Sequence, residues 1–221
     1  NKININPIGI NSTKPDEKLI KKLRGSIVII GPLLAKFGHA IFSEPGGCLI
    51  GSRPIDDHLD VFSQLGVKIE KKDNFYHLTG KPKAGHIVLN KISVTATENA
   101  IMASVFSPGV TKISVAAAEP EIADLANYLN KMGADIKGAG THDIVINGVK
   151  KLEGTEYNVI PDRIESLTYL IAGIATNSKL KIGPVISDHM NLVIKKLKMA
   201  GANIEIRKEN DKEYLFTKPY E

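Results

Sequence analysis

The segment EPGGCLIGSRPIDDH, residues 44–58, holds the only cysteine of the chain, Cys48, followed by Arg53 and by Asp56, Asp57 and His58. Pro45, Gly46, Gly47 and Gly51 make its first part a loop, and Pro54 opens a helix, where a missing N–H costs nothing. A loop held beside a helix N-terminus is a natural anion site, because unpaired N–H groups and the positive end of the helix dipole face it. Arg53 adds a guanidinium that can grip a phosphate or carboxylate in a fork. A thiol in such a place can be functional. A lone cysteine can equally be a small buried hydrophobe, and spacing alone leaves both readings open.

Other candidates carry less. Arg24, in KKLRGS, lies in a predicted amphipathic helix, as a site cation or as a solvated charge. Asp162, Arg163 and Glu165 in IPDRIES could carry chemistry, or Asp162 could cap a helix. The histidines His39, His58, His77, His86, His142 and His189 show neither HExxH nor Cys/His spacing, so no metal site is expected. GAGT at 138–141 reads as a hairpin turn, and no GK[ST] follows a glycine run, so there is no Walker A loop. Lysines cluster without interleaved aromatics, which argues against a single-strand nucleic-acid platform.

The elements that must position these residues repeat. RPIDDHLDVFSQLGVKIE, EPEIADLANYLNKMGADIK and SDHMNLVIKKLKMAGANIE align on Gly66, Gly133 and Gly201, at spacings of 67 and 68 residues. Four residues before each glycine stand Phe62, Leu129 and Leu197; three after stand Ile69, Ile136 and Ile204. Each copy predicts a helix opened by Pro54, by Pro120, or by the cap oxygens of Ser187 and Asp188. The glycine ends the helix in the left-handed conformation. A strand, a turn and a partner strand follow, as in VKIEKK then FYHLTG. An earlier helix precedes each copy, around Arg24–Phe37, Glu98–Phe106 and Arg163–Thr176, linked on by a strand such as HAIFS. With a leading strand, such as HIVLNKISV, the module is β-α-β-α-β-β.

Composition bounds the rest. The 221 residues are 43% hydrophobic and 24% charged, which excludes a disordered tail, a collagen-like rod and a disulfide miniprotein. With 5% aromatic residues and no Trp, the core must be aliphatic. The +5 net charge fits an anionic substrate as easily as nucleic acid. One cysteine excludes an intrachain disulfide and a thiolate metal cluster. The most apolar stretch, SIVIIGPLLAKFG, is broken by Pro32 and Lys36, so no membrane span is expected. NKININPIGI does not read as a signal peptide and has no initiator Met, so the chain reads as a processed or truncated piece.

PGGCLIGSRPIDDH, with LRGSIVIIGPLLAKFGHA before it, closely resembles the UDP-N-acetylglucosamine 1-carboxyvinyltransferase family, the enolpyruvyl transferases of peptidoglycan synthesis. VTATENAIMA, AAAEPEIADLANYLNKMGADIKGAGT and YNVIPDRIE resemble it in the same order, so the likeness runs from about Leu23 to Ala202. The resemblance implies an α/β (α+β) fold of repeated β-α-β-α-β-β units forming inside-out α/β barrel domains. It implies that residues 1–160 are two units of the lid-bearing domain and residues 161–221 one unit of the second. The implied enzyme is a transferase that moves enolpyruvyl from phosphoenolpyruvate to the 3′-hydroxyl of UDP-N-acetylglucosamine, in the cytoplasm, without metal or organic cofactor.

Within that resemblance Cys48 matches a thiol proton donor on a mobile lid loop. Arg53 matches the arginine that binds phosphoenolpyruvate, and Arg24 one that contacts the substrates. Arg53, Pro54, Ile55, Asp56 and Asp57 match the segment lining the uridine-diphosphate site, and Lys91, Ile92, Ser93 and Val94 a second uridine-contacting stretch. His58 matches a histidine near the site. The implied partners are the two substrates and the missing remainder of the enzyme, with neither nucleic acid nor membrane. Thr95 stands where the family usually has Gly, Ala118 where it has Arg, and Ser166 and Leu167 where it has Thr and Gly. The family's N-terminal Lys-Asn pair and its later Asp and Arg have no counterpart here. An inactive fragment or nucleotide-sugar binding module is therefore the alternative. RNA 3′-phosphate cyclases share related modules, but the PGGC-to-RPxD loop argues against them, and the same cysteine motif argues against the sister enolpyruvyl shikimate-phosphate synthase.

Overall fold

The computed structural model describes residues 2–46 and 54–219, and the chain divides into two compact units, Asn1–Glu156 and Tyr157–Glu221. Cys48 and Arg53 lie outside the described residues.

The first unit runs α1 (Glu17–Ile20), a 3-10 turn (Arg24–Ile29) leading into α2 (Ile30–Phe37), β1 (His39–Ser43), α3 (Asp56–Gln64), β2 (Lys68–Lys72) and β3 (Phe75–Thr79). It continues with β4 (His86–Val88), α4 (Val94–Ser104), β5 (Val110–Ser114), α5 (Pro120–Lys131), β6 (Asp135–Lys137) and β7 (Asp143–Asn147). The second unit holds α6 (Arg163–Ala175), β8 (Lys181–Val185), a 3-10 turn (Ser187–Met190), α7 (Asn191–Met199), β9 (Ile204–Glu209) and β10 (Lys212–Thr217).

Among the described residues three sheets have the orders β1-β3-β2, β4-β5-β7-β6 and β8-β10-β9. In each, the last strand of the copy lies between its two antiparallel partners, so one topology occurs three times. The aligned glycines carry it locally: φ is +76° at Gly66, +104° at Gly133 and +97° at Gly201, the left-handed termination expected of them. The hairpins of the first and third copies turn on Asp73-Asn74 and Asn210-Asp211, all four at positive φ, as a two-residue turn matched to strand twist requires. The middle copy turns through GAGT, where Thr141 donates its N–H to Gly138 O at 3.0 Å.

Four expectations need correcting. Arg24 opens a 3-10 turn and not an α-helix, because Gly25, Ser26 and the β-branched Ile27, Val28 and Ile29 are weak helix formers. Ser187 and Asp188 do not cap α7: they form the preceding 3-10 turn, where Ser187 N–H goes to Glu213 and Asp188 accepts from the side chain of Asn191. Among the described residues a leading strand exists only in the middle copy, and only over His86–Val88, where it pairs in parallel with β5. Ser93 leaves the strand to cap α4. Before β1, one bond from Ile41 N–H to Thr13 O, 2.9 Å, stands where a strand would run. Finally, β6 stops at Lys137, because Gly138 at φ +81° would put any Cβ 2.2 Å from Asp143 O.

The core of the first unit is built on α4. Ala96, Ala100, Ile101 and Ala103 are buried, and α2, α3 and α5 all pack against the helix. Leu34, Leu65, Leu78, Ile113, Ile144 and Ile146 complete a largely aliphatic core, with Phe62 and a stacked Phe42–Tyr76 pair as its aromatic members. The second unit has its own core of Leu167, Leu170, Val185, Met190, Ile194 and Leu215. Leu167 thus fills core space there. No helix among the described residues is long and apolar enough to cross a membrane.

Candidate functional site

The two stretches expected to line a nucleotide lie on α3 and on the segment that carries β4 into α4. Pro54 and Asp56 are exposed, Ile55 is buried, and α3 begins at Asp56 with two carboxylates in its first turn, favourable for the helix dipole. Facing them, Lys91 and Ile92 are exposed, Ser93 caps α4 by accepting Ala96 N–H at 3.4 Å, and Val94 is its first residue. Side chains join the stretches. Lys91 Nζ lies 2.9 Å from Asp57 Oδ2, and Asn90 donates to Asp60 at 3.1 Å. Gln64 accepts Val88 N–H at 2.9 Å and donates to Val88 O at 3.1 Å. One amide thus takes the place of a neighbouring strand and covers the open edge of β4.

Arg24 reaches the same place from the first 3-10 turn. Its Nη2 donates to Pro54 O at 3.0 Å, just past the segment that holds Cys48 and Arg53. On the other flank, Gly46 N–H donates to Ile20 O at 3.4 Å. A Cβ at Gly46 would fall 2.1 Å from Lys21 O, so only glycine fits there. Glu44 accepts from Lys71 at 3.1 Å and from Tyr76 at 3.0 Å. Those bonds, led by Lys71, hold its carboxyl below the usual carboxylate range, and the Arg24 charge adds to them.

His58 is buried, only 4% exposed. Its Nδ1 lies 2.9 Å from Asn99 Nδ2 and its Nε2 3.2 Å from Thr95 Oγ1. Burial pushes the ring down to about 4; Arg24 adds to that and Asp57 opposes it, so the ring is neutral at pH 7. Asn99 also donates to Ile27 O at 3.0 Å and accepts Gly31 N–H at 2.8 Å. Of the candidates, Arg24, Pro54, Ile55, Asp56, Asp57, His58, Lys91, Ile92, Ser93 and Val94 therefore fall on joined elements of the first unit. Asn99 and the partnership of Thr95 with His58 were not anticipated. The available signal was a polar side chain inside the small-residue helix VTATENAIMA.

Asp162 is the N-cap of α6, accepting the N–H groups of Ile164 at 2.8 Å and Glu165 at 3.0 Å. A cleft of about 620 Å³ in the second unit, lined among others by Glu165, Tyr169, Lys181 and Ile182, contains none of the residues assigned above to substrate. No group of three or more His, Cys, Asp or Glu arranged to hold a metal occurs among the described residues.

Solved enolpyruvyl transferases share this fold of repeated units. The enolpyruvyl transferase NikO from Streptomyces tendae superposes with a TM-score of 0.78 at 22% identity, over 95% of this chain and 50% of that one. EPSP synthase from Acinetobacter baumannii gives 0.63 at 20%, over 89% and 47%. Residues 1–220 match the EPSP synthase (3-phosphoshikimate 1-carboxyvinyltransferase) family, and the chain belongs to it. Within the family it is 49% identical over 199 residues to the UDP-N-acetylglucosamine 1-carboxyvinyltransferase of Coxiella burnetii, 89% of this chain and 46% of that protein. The Campylobacter hominis protein of the same name is 45% identical over 221 residues, 99% of this chain and 52% of that one. The chain thus spans about half the length of the curated relatives it matches.

Proposed function

We propose that this chain is the Cys48-bearing part of an enzyme that transfers enolpyruvyl from phosphoenolpyruvate to the 3′-hydroxyl of UDP-N-acetylglucosamine, releasing phosphate. The observation that carries the reading is the joining of PIDDH to NKISV through the Asp57–Lys91 ion pair, with Arg24 on the backbone of Pro54. That junction supports a uridine-diphosphate half-site, with Lys91 and Arg24 as its cations. Relatives bearing the transferase name at 45–50% identity favour turnover over a binding module. On this reading residues 1–160 are two repeat units of the lid-bearing domain, residues 161–221 are one repeat unit of the second domain, and the work is cytoplasmic.

The chemistry is an addition followed by an elimination. A proton goes to carbon 3 of phosphoenolpyruvate, which makes carbon 2 electrophilic. The sugar hydroxyl adds to carbon 2 and loses its proton, giving a tetrahedral phospho-ketal. Phosphate then leaves from carbon 2, and carbon 3 gives up a proton to restore the double bond. Cys48 is assigned the first proton transfer and Arg53 the phosphate. A thiol beside cations tends to ionise, whereas an acid must keep its proton. The anionic charge of bound phosphoenolpyruvate offsets those cations. The test is phosphate release by the polypeptide that carries this sequence. Cys48→Ala should abolish release and leave UDP-N-acetylglucosamine binding intact; undiminished turnover in that variant would refute the assignment.

A further inference from the structure

We infer that Asn99 is the positioning residue of this half-site: one buried side-chain amide ties the Arg24 turn, α2 and α3 together and fixes the direction in which His58 donates. The inference rests on the proposed reading for the site, and on the contacts below for the geometry.

Asn99 is fully buried on α4, and all of its inward contacts are long-range. Its orientation is set by the backbone. Gly31 offers only an N–H and Ile27 only a carbonyl, so Oδ1 must face Gly31 and Nδ2 must face Ile27. The second hydrogen of Nδ2 then points at His58 Nδ1, 2.9 Å away. That nitrogen must accept, which leaves the ring proton on Nε2, directed at Thr95 Oγ1. Each partner follows a residue of the rim in the chain. Ile27 O belongs to the turn that begins with Arg24, and His58 follows Asp57, the ion-pair partner of Lys91. The charged groups acting on His58 are Arg24 and Asp57, one of each sign. The site is also closed to variation at Gly31: a Cβ there would lie 2.8 Å from both Asn99 O and Asn99 Oδ1. α2 and α4 therefore meet at the point where the amide is anchored. His58 on this account works as a neutral connector inside the wall, one residue behind the nucleotide-facing Asp57.

The experiment is nitrogen-detected NMR of the histidine rings in the intact chain, with UDP-N-acetylglucosamine titrated by calorimetry on the same samples. In the wild type, His58 should show the Nε2–H form with a bare Nδ1 and should titrate well below its ordinary 6.5. Thr95→Val should keep that form, because Asn99 sets it. Asn99→Asp should place a carboxylate on Nδ1, raise the His58 titration above 6.5, and weaken nucleotide-sugar binding about tenfold. A protonated Nδ1 in the wild type, or a His58 that titrates near 6.5, overturns the inference without needing any variant to fold. Unchanged affinity in a folded Asn99→Asp protein whose ring has changed overturns the positioning role. A wild-type chain that gives the expected ring form but no heat with the nucleotide sugar sinks the proposed function alone.

Discussion

Gly31→Ala tests whether α2 and α4 meet as closely as described. Helix propensity alone favours the change, since Ala replaces Gly inside α2, a gain of roughly 0.5–1 kcal/mol. Close contact opposes it. The new methyl carbon would stand 2.8 Å from Asn99 O and 2.8 Å from Asn99 Oδ1, with Asn99 Cα at 3.3 Å. Two of these atoms are backbone of a buried helix and cannot swing away. Forcing a methyl group into a filled core costs about 1–3 kcal/mol. If Asn99 yields, Gly31 N–H loses its acceptor while buried, which costs about 1–3 kcal/mol more. The net expectation is a loss of roughly 2–4 kcal/mol, or a fall of about 5–15 °C in Tm for a unit of this size. Amide hydrogen exchange along α4 is the assay of choice, because it reports the first unit separately from the second. Gly85→Ala is the control, since a Cβ there meets nothing within 4 Å; it should change stability by less than about 0.5 kcal/mol. A Gly31→Ala protein as protected as the wild type, or better protected, would refute the described contact.

Val115 sits at φ +62°, a conformation that β-branched side chains rarely adopt, and it is 39% exposed. Val115→Asn should therefore stabilise the chain by about 1 kcal/mol, read as a higher urea midpoint with an unchanged slope. His58 makes stability pH-dependent. Its folded value, about 4, lies below the ordinary 6.5, so the unfolded chain binds the proton first. The stability it contributes is complete above pH 6.5 and is lost as pH falls toward 4, on the order of 3 kcal/mol in total. Comparison of wild type with His58→Gln by urea unfolding between those limits should show the steeper loss in the wild type; parallel curves would count against a buried neutral ring.

Much of the fold was legible because its determinants are local. Three glycines at spacings of 67 and 68 residues marked the helix ends, and the left-handed φ at each is the reason glycine recurs. Pro120 occupies the first turn of α5, and Asp162 proved to be a cap, as one of its two readings had it. What was misread depended on distant partners. Arg24 looked like a helical residue, but besides the weak helix formers that follow it, Ile27 O is taken by Asn99 and the Arg24 guanidinium by Pro54 O. Ser187 has the composition of a cap, yet its N–H is held by Glu213 from β10. The site followed the same division. The family resemblance picked out Asp57 and Lys91 in separate stretches, and only the packing of α3 beside β4 brings them to 2.9 Å. Asn99 contacts residues 41, 68 and 72 positions away, a relation with no local signature. Thr95, a departure from the family's usual glycine, gained a role only once His58 was seen beside it.

The most direct test of the account is calorimetric titration of the chain with UDP-N-acetylglucosamine, alongside Lys91→Met. The Lys91 side chain is 63% exposed, so its loss should cost less than about 1 kcal/mol of stability. The account predicts measurable binding by the wild type at millimolar ligand or below, and roughly tenfold weaker binding by a fully folded Lys91→Met protein. No heat from the wild type at millimolar ligand, or identical isotherms for the two proteins, would contradict it.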